Sequence, residues 1–388
     1  MKKQIFIIIL LILSVIIITP NIFVSAENED EMLRDEVNNQ LENFDFSDLN
    51  DLFESGDLHI TDEESFKEIV KNLIDGKYKL NSSTILNKII DVVLSNIKKI
   101  IPIILMILCI SMLSNIVTSF QPNSNSKPVT DIIHFVCIAI VIVLIVSVVR
   151  NSYQITTSTI YSMCNQMNII FPVLLSLMTT MGGVVSVGIY QPIVAILTNG
   201  VTNILSKIVY PIFILSFIFI VLNSLSKQIK LNKFISFMGS GFKWVIGFIF
   251  TLFAGLLTIQ GISAGRYDTI SLKATKFAVK SYIPIIGGYI SDGLDYVMLS
   301  TLLIKNAIGV AGIILLISSI LVPILSVVIL KLGLQFVAGV VEPIADSRIC
   351  DLCDNISKVL IYPVVIIIAI SFMYFLSIGL IMCTVSGV

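Results

Sequence analysis

The chain has 388 residues, of which 56% are hydrophobic and 13% charged, and its mean hydropathy is +0.96. Soluble globular chains carry roughly 25% charged residues, and half that share is too small to cover a water-facing surface of this size. The composition therefore excludes a soluble enzyme, a disordered chain and a collagen-like fibre, and it predicts a protein that crosses a membrane many times.

The net charge of −1 conceals two electrostatic parts. Residues 27–100 contain 18 acidic and 8 basic side chains, whereas residues 101–388 contain 8 acidic and 15 basic ones. The basic residues are scattered among apolar runs and form no stripe with interleaved aromatic residues, so nucleic-acid binding is not predicted. All six cysteines lie beyond residue 100, which excludes a small secreted domain built on disulfides.

Residues 1–26 have the pattern of a signal peptide. Lys2 and Lys3 precede an apolar run from Ile5 to Ile18, and the segment closes with the small-residue end Val-Ser-Ala26. A charged start, an apolar middle and a small-residue end are typical of a segment that is cleaved, here after Ala26. The alternative is an uncleaved first transmembrane helix. Both interpretations place the residues that follow on the outer side of the membrane.

Residues 27–98 are predicted to form a small, acidic, helical extracytoplasmic region. Residues Thr61 to Glu64 (Thr-Asp-Glu-Glu) stand before the apolar positions of a capped amphipathic helix, which are Phe66, Ile69, Val70, Leu73 and Ile74. The region is too small and too charged for a large core. Its acidic residues are interpreted as a solvated face, with docking onto another extracytoplasmic protein as the functional alternative.

Residues 99–388 form the predicted polytopic transmembrane domain. Apolar runs long enough to cross a membrane are Ile101–Phe120, Ile132–Val149, Ile208–Leu225, Trp244–Ile262, Ala307–Leu330 and Val359–Val385. No charge occurs from Asn151 to Ser206, and the apolar part of this stretch, Ile169–Leu197, contains prolines and glycines. It is interpreted as two short helices that meet near Gly182-Gly183, as two spans or a re-entrant pair. Ordinary tilted helices are the alternative.

The positive-inside rule sets the number of crossings. The densest basic cluster consists of Lys227, Lys230, Lys233 and Lys243, and it is assigned to the cytoplasm. If residue 100 lies outside, an odd number of crossings must precede this cluster, which favours two crossings within 169–205. The prediction is an all-α protein of about seven or eight transmembrane helices, some broken or re-entrant. The recurrence of Lys273, Lys276 and Lys280 on one face further predicts an interfacial helix.

The sequence contains no recognisable catalytic or metal-binding constellation. His59 and His134 lie on different parts of the chain, and no His-Glu-x-x-His, Gly-x-Ser-x-Gly or phosphate-loop motif is present. Cys350 and Cys353 have the spacing of half a zinc site, but the sequence has no second pair, so they are interpreted as incidental. We expect neither enzymatic activity nor a cofactor.

The most informative residues are polar or ionisable groups beside apolar runs, namely Asp292, Asp295, Lys305 and Asn306. A charge at membrane depth costs roughly 2.5–3.5 kcal/mol on insertion scales, so it is usually paired or faces water. Asp295 and Lys305 are ten residues apart, and one straight helix cannot pair them. A turn or another subunit would be needed, and the alternative is that these side chains snorkel to the interface.

Four motifs occur in an ordered set. They are Ile259-Gln260-Gly261-Ile-Ser263-Ala264, Lys276-Phe-Ala-Val, Ile283-Pro284-Ile-Ile-Gly287-Gly288-Tyr-Ile-Ser291-Asp292 and Leu303-Ile-Lys305-Asn306-Ala307-Ile-Gly309. Their order and spacing, with the signal peptide, acidic region and polytopic body, resemble the stage III sporulation protein AE family. The resemblance covers roughly residues 100–388 and is strongest over 255–345. Each motif is weak alone, and the ordered set is more specific.

The resemblance implies a place in the mother-cell membrane around the forespore of spore-forming bacteria. There the family is expected to act without enzymatic activity, in a channel or secretion-like complex that links the two cells and supports forespore development. The implied partners are a secretion-type ATPase, ring-forming membrane proteins and a forespore partner, and a homo-oligomer is possible. The resemblance assigns no residue a catalytic role, and the Cys350–Cys353 pair departs from it.

The first functional hypothesis is therefore a membrane core subunit of that complex. The candidate pore or subunit-contact residues are Gln260, Gly261, Lys276, Pro284, Gly287, Gly288, Asp292, Asp295, Lys305, Asn306, Glu342 and Pro343. The alternative is an autonomous small-solute permease, because uncharged broken helices at the midplane resemble transporter binding sites.

Overall fold

A computed structural model describes residues 31–54, 65–78, 82–119, 127–225, 231–282, 287–343 and 347–384. Within these ranges all regular structure is helical, which confirms the all-α prediction. Three short helices come first: α1 (Glu31–Asn43), α2 (Ser47–Glu54) and α3 (Phe66–Ile74). The signal peptide with its cleavage position after Ala26, and also Pro284, lie outside the described residues.

The rest of the described chain forms the helices of the bundle, most of which are long. They are α4 (Ser82–Ser119), α5 (Lys127–Thr180), α6 (Val184–Ala195), α7 (Tyr210–Leu225), α8 (Asn232–Tyr282), α9 (Gly287–Val341), α10 (Ser347–Val359) and α11 (Ile361–Cys383). Seven described segments are long and apolar enough to cross a membrane: Ile85–Val117, Ile132–Thr180, Val184–Val201, Lys207–Leu225, Asn232–Thr258, Gly288–Val341 and Ser347–Cys383. The polytopic prediction is thus confirmed.

Two predicted boundaries are absent because helices continue through them. Between α6 and α7 the chain passes through π-helical turns at Ile196–Val201 and Leu205–Val209 without reversing. The runs Ile132–Val149 and Ile169–Thr180 likewise both belong to α5. The intervening polar segment stays helical because it has an inner face, on which Ser152, Thr156 and Met163 are buried.

The long helices exceed the thickness of a bilayer. Helix α5 has 54 residues and α9 has 55, so each is about 80 Å long at 1.5 Å per residue. The hydrocarbon core is only about 30 Å thick. Helix α8 likewise runs unbroken from Asn232 to Tyr282, so the predicted interfacial helix at Lys273–Lys280 is wrong: these lysines lie on the last turns of a long helix.

A tight turn at Gly182-Gly183 joins α5 to α6, as predicted. Gly182 has φ +80°, which glycine adopts without steric cost. Its N–H donates to Thr179 O at 2.9 Å, and the Gly183 N–H donates to Met178 O at 2.8 Å. These two bonds form a Schellman motif that satisfies the last carbonyls of α5. The helices that meet here are part of long rods rather than short segments, because Pro172 and Pro192 do not interrupt them.

Helix α9 is the centre of the bundle. It packs against α4, α5, α8, α10 and α11, and its N-terminal half contacts α1 and α3. Gly312 permits one close approach, because an added Cβ would lie 3.2 Å from Ile170 Cδ1 and 3.4 Å from Ile378 Cδ1. Large apolar side chains on the outer helices remain exposed, such as Trp244 at 78% and Val143 at 69%, as expected of a surface that faces lipid.

Helices α1–α3 pack onto the bundle and share its hydrophobic core: α1 and α3 contact α9, and α2 contacts α5. Phe66, Ile69 and Val70 are fully buried, which confirms the predicted amphipathic helix. Its cap is Ser65, whose Oγ accepts the Glu68 N–H at 3.2 Å, and the predicted capping segment Thr61 to Glu64 lies outside the described residues. Across the interface Gln40 Nε2 donates to Ser300 Oγ at 2.9 Å. The acidic region is therefore attached to the helical body at the α9 N-terminal half.

Gly312→Val should destabilise the bundle by about 1–3 kcal/mol, because added methyl groups overpack the contact with Ile170 and Ile378. The matched control is Gly339→Val on the same helix, where an added Cβ meets nothing within 4 Å. Thermal unfolding in mild detergent is the measurement. Equal melting temperatures for the two variants would contradict close packing at Gly312.

Candidate functional site

Lys305 is completely buried and bonded to the end of another helix. Its Nζ donates to three backbone carbonyls at the end of α11: Thr384 O at 2.8 Å, Ile381 O at 3.2 Å and Met382 O at 3.3 Å. The last carbonyls of a helix have no partner within it, and they carry the negative end of its dipole. A buried ammonium satisfies both requirements. Lys305 therefore serves as a helix cap supplied from α9, and it does not snorkel to the interface.

The same helix end is tied to α6. The Thr384 hydroxyl lies 2.8 Å from the hydroxyl of Tyr190, which is on α6, and both side chains are buried. Thr384 also bonds backward, with its N–H donating to Leu380 O at 3.0 Å. Next to this contact an added Cβ at Gly309 would lie 2.6 Å from Met382 Sδ, so glycine allows α9 and α11 to approach here.

Asp268 makes the complementary contact at the start of α6. This residue of α8 is 1% exposed, and its carboxylate accepts the N–H groups of Val185 at 3.1 Å and Ser186 at 3.0 Å. A helix start requires acceptors for its first N–H groups, and the residue before α6 is Gly183, which has no side chain to provide one. Asp268 supplies the missing cap from a neighbouring helix, and its negative charge suits the positive end of the helix dipole.

The remaining charges of the predicted set pair across the connection between α8 and α9. Lys276 bonds to Asp295, and Lys280 Nζ lies 3.7 Å from Asp292 Oδ1. The side chains of Lys280 and Asp292 are 53% and 66% exposed, and ion pairs in such surroundings contribute about 0–1 kcal/mol. Asp295 is therefore paired with Lys276 on the adjacent helix and not with Lys305.

The predicted site residues do not converge on one site. Lys276, Asp292 and Asp295 lie near the connection between α8 and α9, and Lys305 lies inside the bundle at the end of α11.

The other predicted residues are also spread along the chain. Asn306 is partly buried, and its Oδ1 has no hydrogen-bond partner among the described residues. Gly288 is exposed at the start of α9, whereas Glu342 and Pro343 are exposed at its far end. Gln260, Gly261 and Gly287 belong to described helices, but the placement of Pro284 is not described.

No arrangement for catalysis appears among the described side chains. They contain no group of three or more His, Cys, Asp or Glu residues placed to hold a metal ion. Cys353 is buried, and the Cys350 thiol donates to Ala338 O at 3.3 Å. Of the three charged side chains that are buried among the described residues, Asp268 and Lys305 bond to helix ends, and Lys331 donates to Gln335 Oε1 at 3.2 Å. The chemistry that this arrangement supports is the mutual fixing of α6, α8, α9 and α11.

Sequence reasoning missed Asp268, Tyr190 and Thr384. One signal was available, because Asp268 is the only acidic residue between Asp131 and Asp292. A lone acid among long apolar runs indicates a specific partner. Nothing in the sequence indicated that the partner is a helix start more than eighty residues earlier, since backbone N–H groups leave no compositional trace.

Comparisons with known proteins agree on one family. The family model described as stage III sporulation protein AE matches residues 64–386. The stage III sporulation protein AE of Bacillus subtilis (strain 168) is 28% identical over 283 residues, which are 72% of this chain and 69% of that protein. No solved structure matches the chain.

Replacing Lys305 with Met should lower the melting temperature strongly, because the α11 carbonyls lose their donor. Leaving a buried polar group unsatisfied costs about 1–3 kcal/mol. Lys280→Met is the matched control, since its ion pair is exposed, and it should melt like the unaltered chain. The capping role of Lys305 would be refuted by two variants of equal stability in mild detergent.

Proposed function

Because the chain belongs to the stage III sporulation protein AE family, we propose that it is a non-enzymatic membrane core subunit of a sporulation-specific channel or secretion-like complex that links mother cell and forespore. The main evidence for this proposal is the family match, which covers residues 64–386 and so includes almost the whole helical body. A role in sporulation follows from the family itself, and the complex and its architecture are our proposal.

The contacts that the charged side chains make support a structural role for this subunit. Buried Lys305 and Asp268 are bonded to helix ends, and the described ion pairs of α8 and α9 neutralise one another. Such contacts hold helices in fixed positions, and they leave these groups no role as acid, base or nucleophile. Fixed helices of this length suit a scaffold on which other membrane proteins assemble.

We further propose that α1–α3 lie on the extracytoplasmic side of the mother-cell membrane. Three membrane-crossing segments separate α1–α3 from Lys233 and Lys243. They are α4, α5 and the continuous helical segment formed by α6 and α7. Three is an odd number, so an outer N-terminal region leaves this basic cluster in the cytoplasm, in accord with the positive-inside rule. The sequence analysis also placed this basic cluster in the cytoplasm, but with five crossings before it instead of three.

The outer helices offer a surface for partners. Exposed carboxylates on α1, α2 and the residues between them are Asp35, Glu42, Asp45, Asp48, Asp51 and Glu54. The apolar face of α1 is buried against α9 and that of α2 against α3 and α5, so the acidic side remains available. An acidic surface suits a basic patch on another extracytoplasmic member of the complex, such as the ring-forming proteins or the forespore partner. The ATPase would meet the opposite, cytoplasmic end.

The position of the α5–α6 turn distinguishes the two crossing counts. If α5 crosses the membrane once, as a single helix, Val184→Cys should react with a membrane-impermeant thiol reagent from the same side as Met32→Cys. Both side chains are exposed, at 63% and 67%. The test uses whole protoplasts and a cysteine-free background, with Val143→Cys as the lipid-facing control. Labelling of Val184→Cys only after permeabilisation would contradict the single-rod topology.

The function itself is tested by purification from sporulating cells. Mild-detergent affinity purification should recover a large assembly that contains the ATPase and the ring-forming proteins, and spores should fail to develop without the chain. A small oligomer free of those partners, even after cross-linking, would overturn the proposal. That outcome would favour the autonomous permease, which would then have to move solute in liposomes that contain this chain alone.

A further inference from the structure

The second half of α5 carries an uncharged polar stripe on its outer side. Six exposed residues define this stripe: Asn151, Gln154, Ser158, Tyr161, Asn165 and Asn168. The opposite face of the same helix is buried in the bundle. None of these six side chains makes a described hydrogen bond to another helix. The stripe is therefore a free surface of the single chain.

The stripe lies level with an apolar surface on the other side of the bundle. Met163, beside the stripe, is 4.0 Å from Ser371 Oγ on α11. The next residue, Phe372, stacks on Phe250 of α8 with ring centroids 5.5 Å apart. At this level α8 exposes Phe248 and Leu252, at 56% and 52%. Large exposed apolar side chains at this level indicate lipid around the molecule.

Polar amides facing lipid would be unfavourable, so the stripe requires a cover. The absence of charge indicates what kind of cover it is. Surfaces in free water carry many Lys, Arg, Asp and Glu residues, but none occurs from Asn151 to Ser206. Neutral amides and hydroxyls are the groups that join helices inside a membrane, where they hydrogen-bond across the contact.

The spacing of the stripe suits a helix as the partner. Its six residues follow one another at intervals of three, four, three, four and three, and Ser162 is exposed beside them. This spacing keeps the polar side chains on one face of α5, which a second helix can contact over several turns.

We propose that this stripe is the contact between two copies of the chain, with α5 pairing against α5. Asn and Gln side chains have both donors and acceptors, so the stripe is complementary to itself. Copies in one membrane share one orientation, and a two-fold axis along the membrane normal then sets the two α5 helices parallel. Asn165 of one copy therefore meets Asn165 of the other. This contact goes beyond the proposed function and does not depend on it.

Single cysteines test the pairing directly. The full chain, with its six native cysteines replaced, is expressed in membranes of a non-sporulating host, so other sporulation proteins are absent. Under mild oxidation Asn165→Cys and Ser158→Cys should form disulfide-linked dimers several-fold more efficiently than Leu252→Cys. The last variant is the matched control, because Leu252 is exposed at the same level of the bundle but on α8, on the side away from the stripe.

Two results would overturn the proposal. Asn165→Cys could fail to form dimers above the Leu252→Cys level while reacting readily with a water-soluble thiol reagent, which would mean that the stripe faces water. It could instead resist both reactions, which would mean that another part of the protein or a different partner covers it. Failure of the purification from sporulating cells would leave the dimer result unaffected, so the two proposals are tested separately.

Discussion

The structure depends on satisfying helix ends that are buried inside the bundle. Asp268 and Ser186 are buried at the start of α6, and Thr384 is buried at the end of α11, so water has little access to the hydrogen-bonding groups that meet there. Asp268 and Lys305 supply them from neighbouring helices, with a carboxylate on N–H groups and an ammonium on carbonyls. Each charge has the sign opposite to the helix end that it meets, so electrostatics and hydrogen bonding act together. This explains how two unpaired charges are tolerated at depth.

These contacts are possible only because α9 and its neighbours approach closely. Gly309 and Gly312 lie one and two turns beyond Lys305, and they face Met382 and Ile378 on α11. Small residues let backbones come near each other in membrane helices, where the hydrophobic effect gives little drive for association. The close approach brings the Lys305 Nζ within hydrogen-bond distance of three carbonyls. Packing and capping therefore require each other, and neither would persist if the two helices moved apart.

The sequence predicted the class of fold well and the helix lengths poorly. Apolar runs identified the membrane segments, and glycines located the turn at Gly182-Gly183. The predicted spans end at Val149 and resume at Ile169, which leaves the polar segment from Arg150 to Asn168 outside any predicted span. It is helical since Ser152, Thr156 and Met163 form an inner face, and buried hydroxyls bond within the helix, as Thr156 Oγ1 does to Ser152 O at 2.7 Å. A hydropathy average over this segment does not reveal such a face, because the buried hydroxyl-bearing residues count as polar. Similarly, Lys305 was recognised as a special residue, but its backbone partners could not be read from side-chain identities.

The distribution of charge separates two tasks along the molecule. The ion pairs of Lys276 and Lys280 and the acidic helices lie at the end of the bundle near α1–α3, where water screens and solvates them, and a further pair, Lys358–Asp354, lies on α10. The long uncharged stretch from Asn151 to Ser206 contains both buried hydroxyls and outward amides, which satisfy polar contacts without the desolvation cost of an ion. A chain that only had to remain folded could place lipid-compatible side chains on that outer face, as α8 does with Phe248 and Leu252. The retention of amides at a regular spacing is therefore best explained by a contact with another helix, and the charged end remains free to meet soluble partners.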